Sequence, residues 1–309
     1  SFPTRRSSDL DSHFPADLGN ERILLSVCVL TCSFWQLLPH SKGNMKELFN
    51  LETSYHGDGP VLVSWQAAGN FLATAGKNGL VHIFDRHGAQ VDEISLRSNQ
   101  PVLALEWDKD GECLAVLQQD NGAVPIWDVT TRRVKNLETN LKDPTFLKWS
   151  KMGPQLAIGT GKGNLLLYRK DIQKKIPVLG KHSRKIVCGT WSDDNRLALG
   201  SEDKTMTLSN ADGDTLEQTE LKYPALQIQF QGREGGVQKQ RGNSGEAGQK
   251  SAGGKKLMSS NTISANMDGK MILLYQLDDP DNPIQLAFQK KYGDIVSYKW
   301  FGEGFMMIG

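Results

Sequence analysis

The sequence predicts an all-β fold, a truncated β-propeller of five blades and the start of a sixth. Three observations carry this. Trp65, Trp107, Trp149 and Trp191 follow one another at intervals of 42 residues. A repeat of roughly 40–45 residues is the length of one propeller blade. The same grammar then follows each Trp: a polar turn, a short apolar run, a turn rich in Gly, Asn and Asp, and an alternating strand. Short apolar runs cut by such turns are strands and hairpins, and they are broken too often for an amphipathic helix.

In order along the chain, the apolar runs are Phe71-Leu72-Ala73, Leu114-Ala115-Val116, Leu156-Ala157-Ile158 and Leu197-Ala198-Leu199. The alternating strands end in an aromatic at Phe84, Trp127 and Tyr168. Phe84-Asp85 and Trp127-Asp128 carry the aromatic–Asp ending of a WD40-type blade, and the fourth repeat departs with Leu208-Ser209-Asn210. Gly79, Gly122, Gly163 and Gly269 are expected at hairpin turns. Small residues at Ala75-Gly76, Gly159-Thr160 and Gly200-Ser201 suit the crowded inner part of a blade.

A fifth repeat is less regular. Phe230 lies 39 residues after Trp191 and takes the place of the next Trp, and Asn261–Tyr275 continues that blade. Trp300 opens the sixth. Between them, residues 231–258 hold a Gly/Lys-rich insertion; Gln231–Lys256 has eight Gly and a net charge of +4. Such a segment buries too little apolar surface to offset ordering, so it reads as a disordered loop. A basic contact loop is the functional alternative, and a solvated hairpin insertion or retained intron sequence is preferred.

The ends are irregular. Propellers close into rings of roughly 4–8 blades. An open ring exposes strand edges, so residues 45–309 are expected to be part of a propeller that does not fold alone as a soluble closed ring. Met45–Leu51 is a candidate for the strand that completes the last blade. Ser1–Leu10 reads as a translated sequencing-library adapter, which makes residues 1–44 a non-native leader and Met45 the natural start. Ile23–Leu38 otherwise resembles a signal-peptide core, too short for a span of roughly 20 apolar residues.

Composition excludes little but points away from polyanions. Lys and Arg number 36 against 35 Asp and Glu, so no global field favours nucleic acid or an anionic membrane. Cys113 and Cys188 fall in predicted strands, where a lone Cys is a small hydrophobe. With Cys28 and Cys32 in the leader, no disulfide framework is left, which fits a reducing compartment.

No string assembles a catalytic, cofactor or metal site. Gly159–Asn164 looks like a phosphate loop, but no Ser or Thr follows Lys162 and Leu156 stands where a Gly is needed. It also repeats the turn at Ala75–Gly79, so it reads as a hairpin. Gly180-Lys181-His182 lies nine residues before Trp191. With Asp203 and Trp191 it resembles the Asp–His–Ser/Thr–Trp hydrogen-bond network of WD blades; no second His or Cys sits at ligand spacing to make His182 a metal ligand. Lys174-Lys175 and Lys181–Lys185 form a basic cluster suited to an acidic partner or lipid headgroups. It lacks interleaved aromatics, so a solvated loop is the simpler reading. Asp279–Pro283 reads as a rigid acidic turn between blades. The residues singled out are structural: Trp65, Trp107, Trp149, Trp191, Trp300, Asp85, Trp127, Asp128, His182 and Asp203.

Beyond the repeat grammar, several strings are specific. They include Ile83–Gly88, Trp107–Gly111, Gly161–Leu166, Lys175–His182 and Asp281-Asn282-Pro283. They resemble the WD-repeat subunits of intraflagellar transport complex A, over roughly residues 45–230 and 259–309. The resemblance implies a longer chain with two propellers followed by helical repeats, of which this would be most of the first propeller. It implies a non-enzymatic scaffold with no cofactor, partnered by the other complex A subunits and, indirectly, by ciliary membrane cargo. The implied role is retrograde transport, cilium assembly and receptor entry, and the implied location is cytoplasm, cilium and basal body. Two other readings stand beside it. A substrate-recruiting adaptor, as of a ubiquitin ligase, is expected if no helical repeats follow. A propeller hydrolase needs acidic residues or metal ligands converging on the channel.

Overall fold

The computed structural model describes residues 32–37, 45–96, 98, 100–231, 261–301 and 305–309. The adapter-like segment, most of the leader and residues 232–258 of the insertion lie outside the described residues.

Two strands, β1 (Cys32–Leu37) and β2 (Met45–Leu51), pair antiparallel. Five four-stranded antiparallel sheets follow. The first blade is β3 (Leu62–Trp65), β4 (Phe71–Ala75), β5 (Leu80–Asp85) and β6 (Gln90–Ser95). The second is β7 (Val102–Trp107), β8 (Cys113–Gln118), β9 (Ala123–Asp128) and β10 (Val134–Glu138). The third is β11 (Pro144–Trp149), β12 (Gln155–Thr160), β13 (Leu165–Arg169) and β14 (Lys174–Val178). The fourth is β15 (Ile186–Trp191), β16 (Leu197–Ser201), β17 (Thr205–Ser209) and β18 (Thr215–Glu220). The fifth is β19 (Ala225–Phe230), β20 (Thr262–Met267), β21 (Met271–Gln276) and β22 (Asp279–Ala287). A sixth, two-stranded sheet pairs β23 (Tyr298–Phe301) with β24 (Phe305–Ile308). Among the described residues no helix is long and apolar enough to cross a membrane.

The predicted openings fall at one place in every blade. Trp65, Trp107, Trp149, Trp191 and Phe230 each end the first strand. There they pair with Leu72, Leu114, Leu156, Leu197 and Ile263 of the second strand. First strands of successive blades lie against one another, β3 on β7, β7 on β11, β11 on β15 and β15 on β19. They are therefore the inner strands, and the fourth strands form the rim.

The apolar core lies in the seams between blades. Ala73, Val81 and Ile83 of the first blade meet Leu105, Leu114, Val116 and Trp127 of the second. Cys113, Ala115 and Leu117 of the same β8 turn the other way and meet Leu147, Trp149, Leu156 and Ile158 of the third blade. Alternation along a strand sends neighbours to opposite faces, and here both faces are covered. That is why β8, β12 and β16 are buried at every position and read as continuous apolar runs. Each fully buried Leu or Ile contributes about 1.5–3 kcal/mol to a seam. The seams also explain the small residues: a Cβ on Gly159 would stand 2.8 Å from the Ile186 side chain, and one on Gly200 2.8 Å from Ala225.

Three expectations change. Met45–Leu51 pairs with β1, inside the stretch set aside as leader, and not with the last sheet. Its end is held by the first blade, where Leu51 packs with Leu72 and Phe84. Asp279–Pro283 is not a turn between blades but the start of β22. A rim strand tolerates its prolines because one edge needs no N–H donors. Gly79, Gly163 and Gly269 do adopt left-handed backbone, but at the second blade's hairpin Asp120 takes it (φ 54°) instead of Gly122.

Candidate functional site

Each blade closes its hairpins with polar side chains, and these repeat. Asp85 Oδ1 accepts hydrogen bonds from the His87 and Ala89 amides at 2.8 and 3.0 Å. Asp128 Oδ1 accepts from the Thr131 amide at 2.7 Å and its hydroxyl at 2.9 Å, and these bonds hold its carboxyl below the usual range. Asn210 does the same in the fourth blade, accepting from the Asp212 and Asp214 amides at 3.0 and 2.9 Å. The departure read at Leu208-Ser209-Asn210 is thus a substitution of one acceptor for another.

Four tryptophans knit blade to blade, while the buried Trp149 Nε1 has no hydrogen-bond partner among the described residues and that side chain holds its seam by packing alone. Trp107 Nε1 donates to the Ser64 carbonyl at 3.0 Å, and Trp191 Nε1 to the Lys148 carbonyl at 3.1 Å. Each reaches the residue before the preceding Trp. Trp127 Nε1 donates to Asp92 Oδ2 of the first blade's rim strand at 2.7 Å. Trp300 Nε1 donates to Ser264 Oγ at 2.7 Å.

The densest polar cluster lies on the fourth blade. His182 is buried, with Nδ1 2.9 Å from Thr205 Oγ1 and Nε2 3.0 Å from Thr207 Oγ1. Asp203 Oδ2 lies 3.3 Å from His182 Nδ1 and accepts from the Ser183 amide at 2.8 Å. Its Oδ1 accepts from the Thr205 amide at 2.9 Å and hydroxyl at 2.7 Å. Burial pushes the Asp203 carboxyl up, but these donors and His182 outweigh it and bring the group to about 2. Burial lowers His182, against the pull of Asp203. The structure therefore brings His182 and Asp203 together with two threonines. Trp191 stands outside the network, because it ends the strand that begins beyond His182 and its indole serves the third blade.

The first blade carries a counterpart that the sequence reading missed. His56 lies nine residues before Trp65, the offset of His182 from Trp191. It is buried, with Nε2 2.8 Å from Thr74 Oγ1, and its carbonyl accepts from the Lys77 amide at 3.0 Å. His82 Nε2 lies 2.7 Å from the Tyr55 carbonyl oxygen, and the His56 and His82 rings meet edge-on at 5.5 Å. Burial, then the neighbouring His82, push His56 down to about 4. Applying the nine-residue offset to every Trp finds this residue.

The remaining motifs are absorbed by the fold. In Gly159–Asn164 the amides of Gly161, Gly163 and Asn164 already bond to the Asp143 carbonyl, the Thr160 carbonyl and Thr160 Oγ1. Those donors are spent, and a Cβ on Gly161 would land on the Asp143 carboxylate. Lys181 is buried and donates to the Gly213 carbonyl at 3.0 Å and Thr215 Oγ1 at 2.7 Å. Burial brings it down to about 8, with Asp214 opposing. Cys113 and Cys188 are buried free thiols pushed up to about 11 and about 12 by burial. Among the described residues no three His, Cys, Asp or Glu side chains gather to hold a metal ion.

Comparison with known proteins places this geometry. The family model described as the WDR19 first beta-propeller matches residues 61–309. The chain is 44% identical over 268 residues to WD repeat-containing protein 19 of Mus musculus, covering 86% of this chain and 18% of that relative. To the Homo sapiens protein of the same name it is 40% identical over 267 residues, with the same coverage of each. To WD repeat-containing protein dyf-2 of Caenorhabditis elegans it is 30% identical over 258 residues, covering 82% of this chain and 17% of that one. The chain thus spans less than a fifth of the curated relatives' length. The crystal structure of the C-terminal WD40 domain of Sif2 matches with a TM-score of 0.61 at 14% identity, covering 87% of this chain and 69% of that one. At that identity the likeness speaks for the fold alone.

Proposed function

Because the chain belongs to the WDR19 first beta-propeller family, we propose that it is part of a scaffold subunit of intraflagellar transport complex A. In this reading it supports retrograde ciliary transport, cilium assembly and the entry of membrane receptors into cilia. Its partners are the other complex A subunits, with membrane cargo held indirectly. It works in the cytoplasm, at the basal body and in the cilium. The observation that carries the reading is the family match across residues 61–309, joined by relatives at 40% and 44% identity.

The physical role suits a scaffold. Blades stacked through buried seams make a stiff body whose faces and rim can hold several partners at once. The side chains that look chemical are engaged in holding turns and blades together. Trp65, Trp107, Trp149, Trp191, Trp300, Asp85, Trp127, Asp128, His182 and Asp203 are assigned this structural role, and the domain is read as non-enzymatic.

The test is to express the full-length protein with a tag in ciliated cells and identify what co-purifies. Complex A subunits in stoichiometric amount are expected. Ligase components without ciliary proteins would replace the scaffold reading with that of a substrate-recruiting adaptor.

A further inference from the structure

The rim changes sign from blade to blade. The first blade's rim strand, β6, carries Asp92 and Glu93. The fourth blade's, β18, carries Glu217 and Glu220, with Asp212 and Asp214 on the turn before it. The fifth blade's, β22, begins with Asp279 and Asp281. Between these acidic stretches, the second and third blades present Arg132, Arg133, Lys135, Lys174 and Lys175, all exposed, with Glu138 at the end of β10 as the single carboxylate on their two rim strands. The cations form one ledge. Lys135 Nζ on β10 donates to Gln173 Oε1 at 3.2 Å, and Lys175 on β14 donates to the Glu138 carbonyl. Asp171, the nearest carboxylate in sequence to Lys174, is taken by Arg169 at 2.8 Å. Among the described residues no carboxylate pairs with Arg133, Lys135 or Lys174. Val134 and Ile172, 41% and 56% exposed, lie among the cations.

We propose that this ledge is a docking site for an acidic, extended polypeptide segment of a partner. Two arguments select that occupant. First, the ledge is narrow: acidic rims flank it on both sides, so a wide anionic surface such as a bilayer meets repulsion at β6 and β18. A single extended strand, about 5 Å across, fits between. Second, β10 and β14 are edge strands, each with one neighbour in its sheet. Apart from the Glu138 carbonyl, which Lys175 takes, and Pro177, which has no N–H, their outward backbone groups can pair with an added strand, while the cations select acidic residues and Val134 and Ile172 meet apolar ones. Lys and Arg on an edge bar a second basic strand, which sets the sign of the partner. The inference rests on the rim's charge and edges and stands apart from the transport reading.

The test uses the full-length chain and a fluorescent peptide of alternating Glu and Val, read by anisotropy. Binding that weakens with salt is expected, with roughly tenfold loss on Arg133→Glu, Lys135→Glu and Lys174→Glu together. Should that variant not fold, Arg133→Gln with Lys174→Gln is expected to lose less, in the same direction. Glu220→Lys with Asp281→Lys on the acidic rim is expected not to weaken binding, because it only removes flanking repulsion. A peptide N-methylated at alternate residues is expected to bind less, because it cannot complete the strand. Failure of the unmodified protein to bind, equal binding by the basic-rim variants, or indifference to N-methylation would overturn the proposal. So would anionic phosphatidylserine vesicles that bind more tightly than the peptide and displace it.

Discussion

The first and fourth blades answer one problem, a buried histidine nine residues before the blade's Trp, with different charges. In the fourth, Asp203 caps the β16–β17 hairpin through the Thr205 amide and faces His182. In the first, Asn78 caps the matching hairpin through the Leu80 amide at 3.2 Å, so the acceptor is neutral. His182 has two hydroxyl partners, whereas His56 has one and a second histidine beside it. Burial presses both rings to stay neutral; in the fourth blade Asp203 opposes it, and in the first His82 adds to it. The same offset before Trp107 and Trp149 holds Ser98 and Asn140, so the imidazole belongs to the first and fourth blades and not to the repeat as such.

The sharpest way to break the comparison is Asp203→Ala. It strips acceptors from the Ser183 and Thr205 amides and leaves His182 without its carboxylate, at an expected cost of about 3 kcal/mol in urea unfolding. The matching Asn78→Ala is expected to cost about 1 kcal/mol. Equal losses would mean that the charge contributes nothing.

Next comes pH. A histidine whose folded pKa is depressed adds stability that is present above its unfolded value and lost as pH falls. For His56 that window runs from 6.5 down to about 4. Asp203 adds stability that is present above 3.8 and lost as pH falls towards about 2. His182 is lowered too, so both blades should lose stability as pH falls below 6.5, and the fourth should lose more below 3.8 as Asp203 protonates; His56→Gln should flatten the upper part of the curve. Ring NMR resonances that place His56 near its ordinary value would refute this.

Asn78→Asp should make the first blade more like the fourth and raise His56 above about 4 in the same NMR titration. The smallest effect is expected at Asp85→Asn, within about 0.5 kcal/mol, because either side chain accepts the His87 and Ala89 amides at Oδ1.

The repeat spacing made most of the architecture legible. A 42-residue interval reflects a physical unit, so Trp, apolar run and hairpin fell where the pattern put them, and Phe230 took the Trp position at 39 residues. Less was legible wherever a side chain's partner lay in another blade. Nothing in the string Thr145-Phe146-Leu147 announces the recurrent bulge between Pro144 and Phe146, or that Thr145 Oγ1 reaches the Ile186 carbonyl at 2.7 Å. His56 was legible but overlooked, since Tyr55-His56-Gly57 lacks the Gly-before-His order that drew attention to His182. Asp279–Pro283 misled because two prolines imitate a loop, and only the strand's place on the rim makes them tolerable.

The seams carry a consequence for how substitutions combine. Leu114 and Ala115 are adjacent on β8 but belong to different apolar clusters, one shared with the first blade and one with the third. Their effects should add, as those of independent sites do. Ala115 and Ile158, 43 positions apart, share a cluster and should not. A defect at one position is therefore expected to be compensated about one blade away along the chain and not at the adjacent residue, which a double-mutant cycle at Ala115 and Ile158 checks.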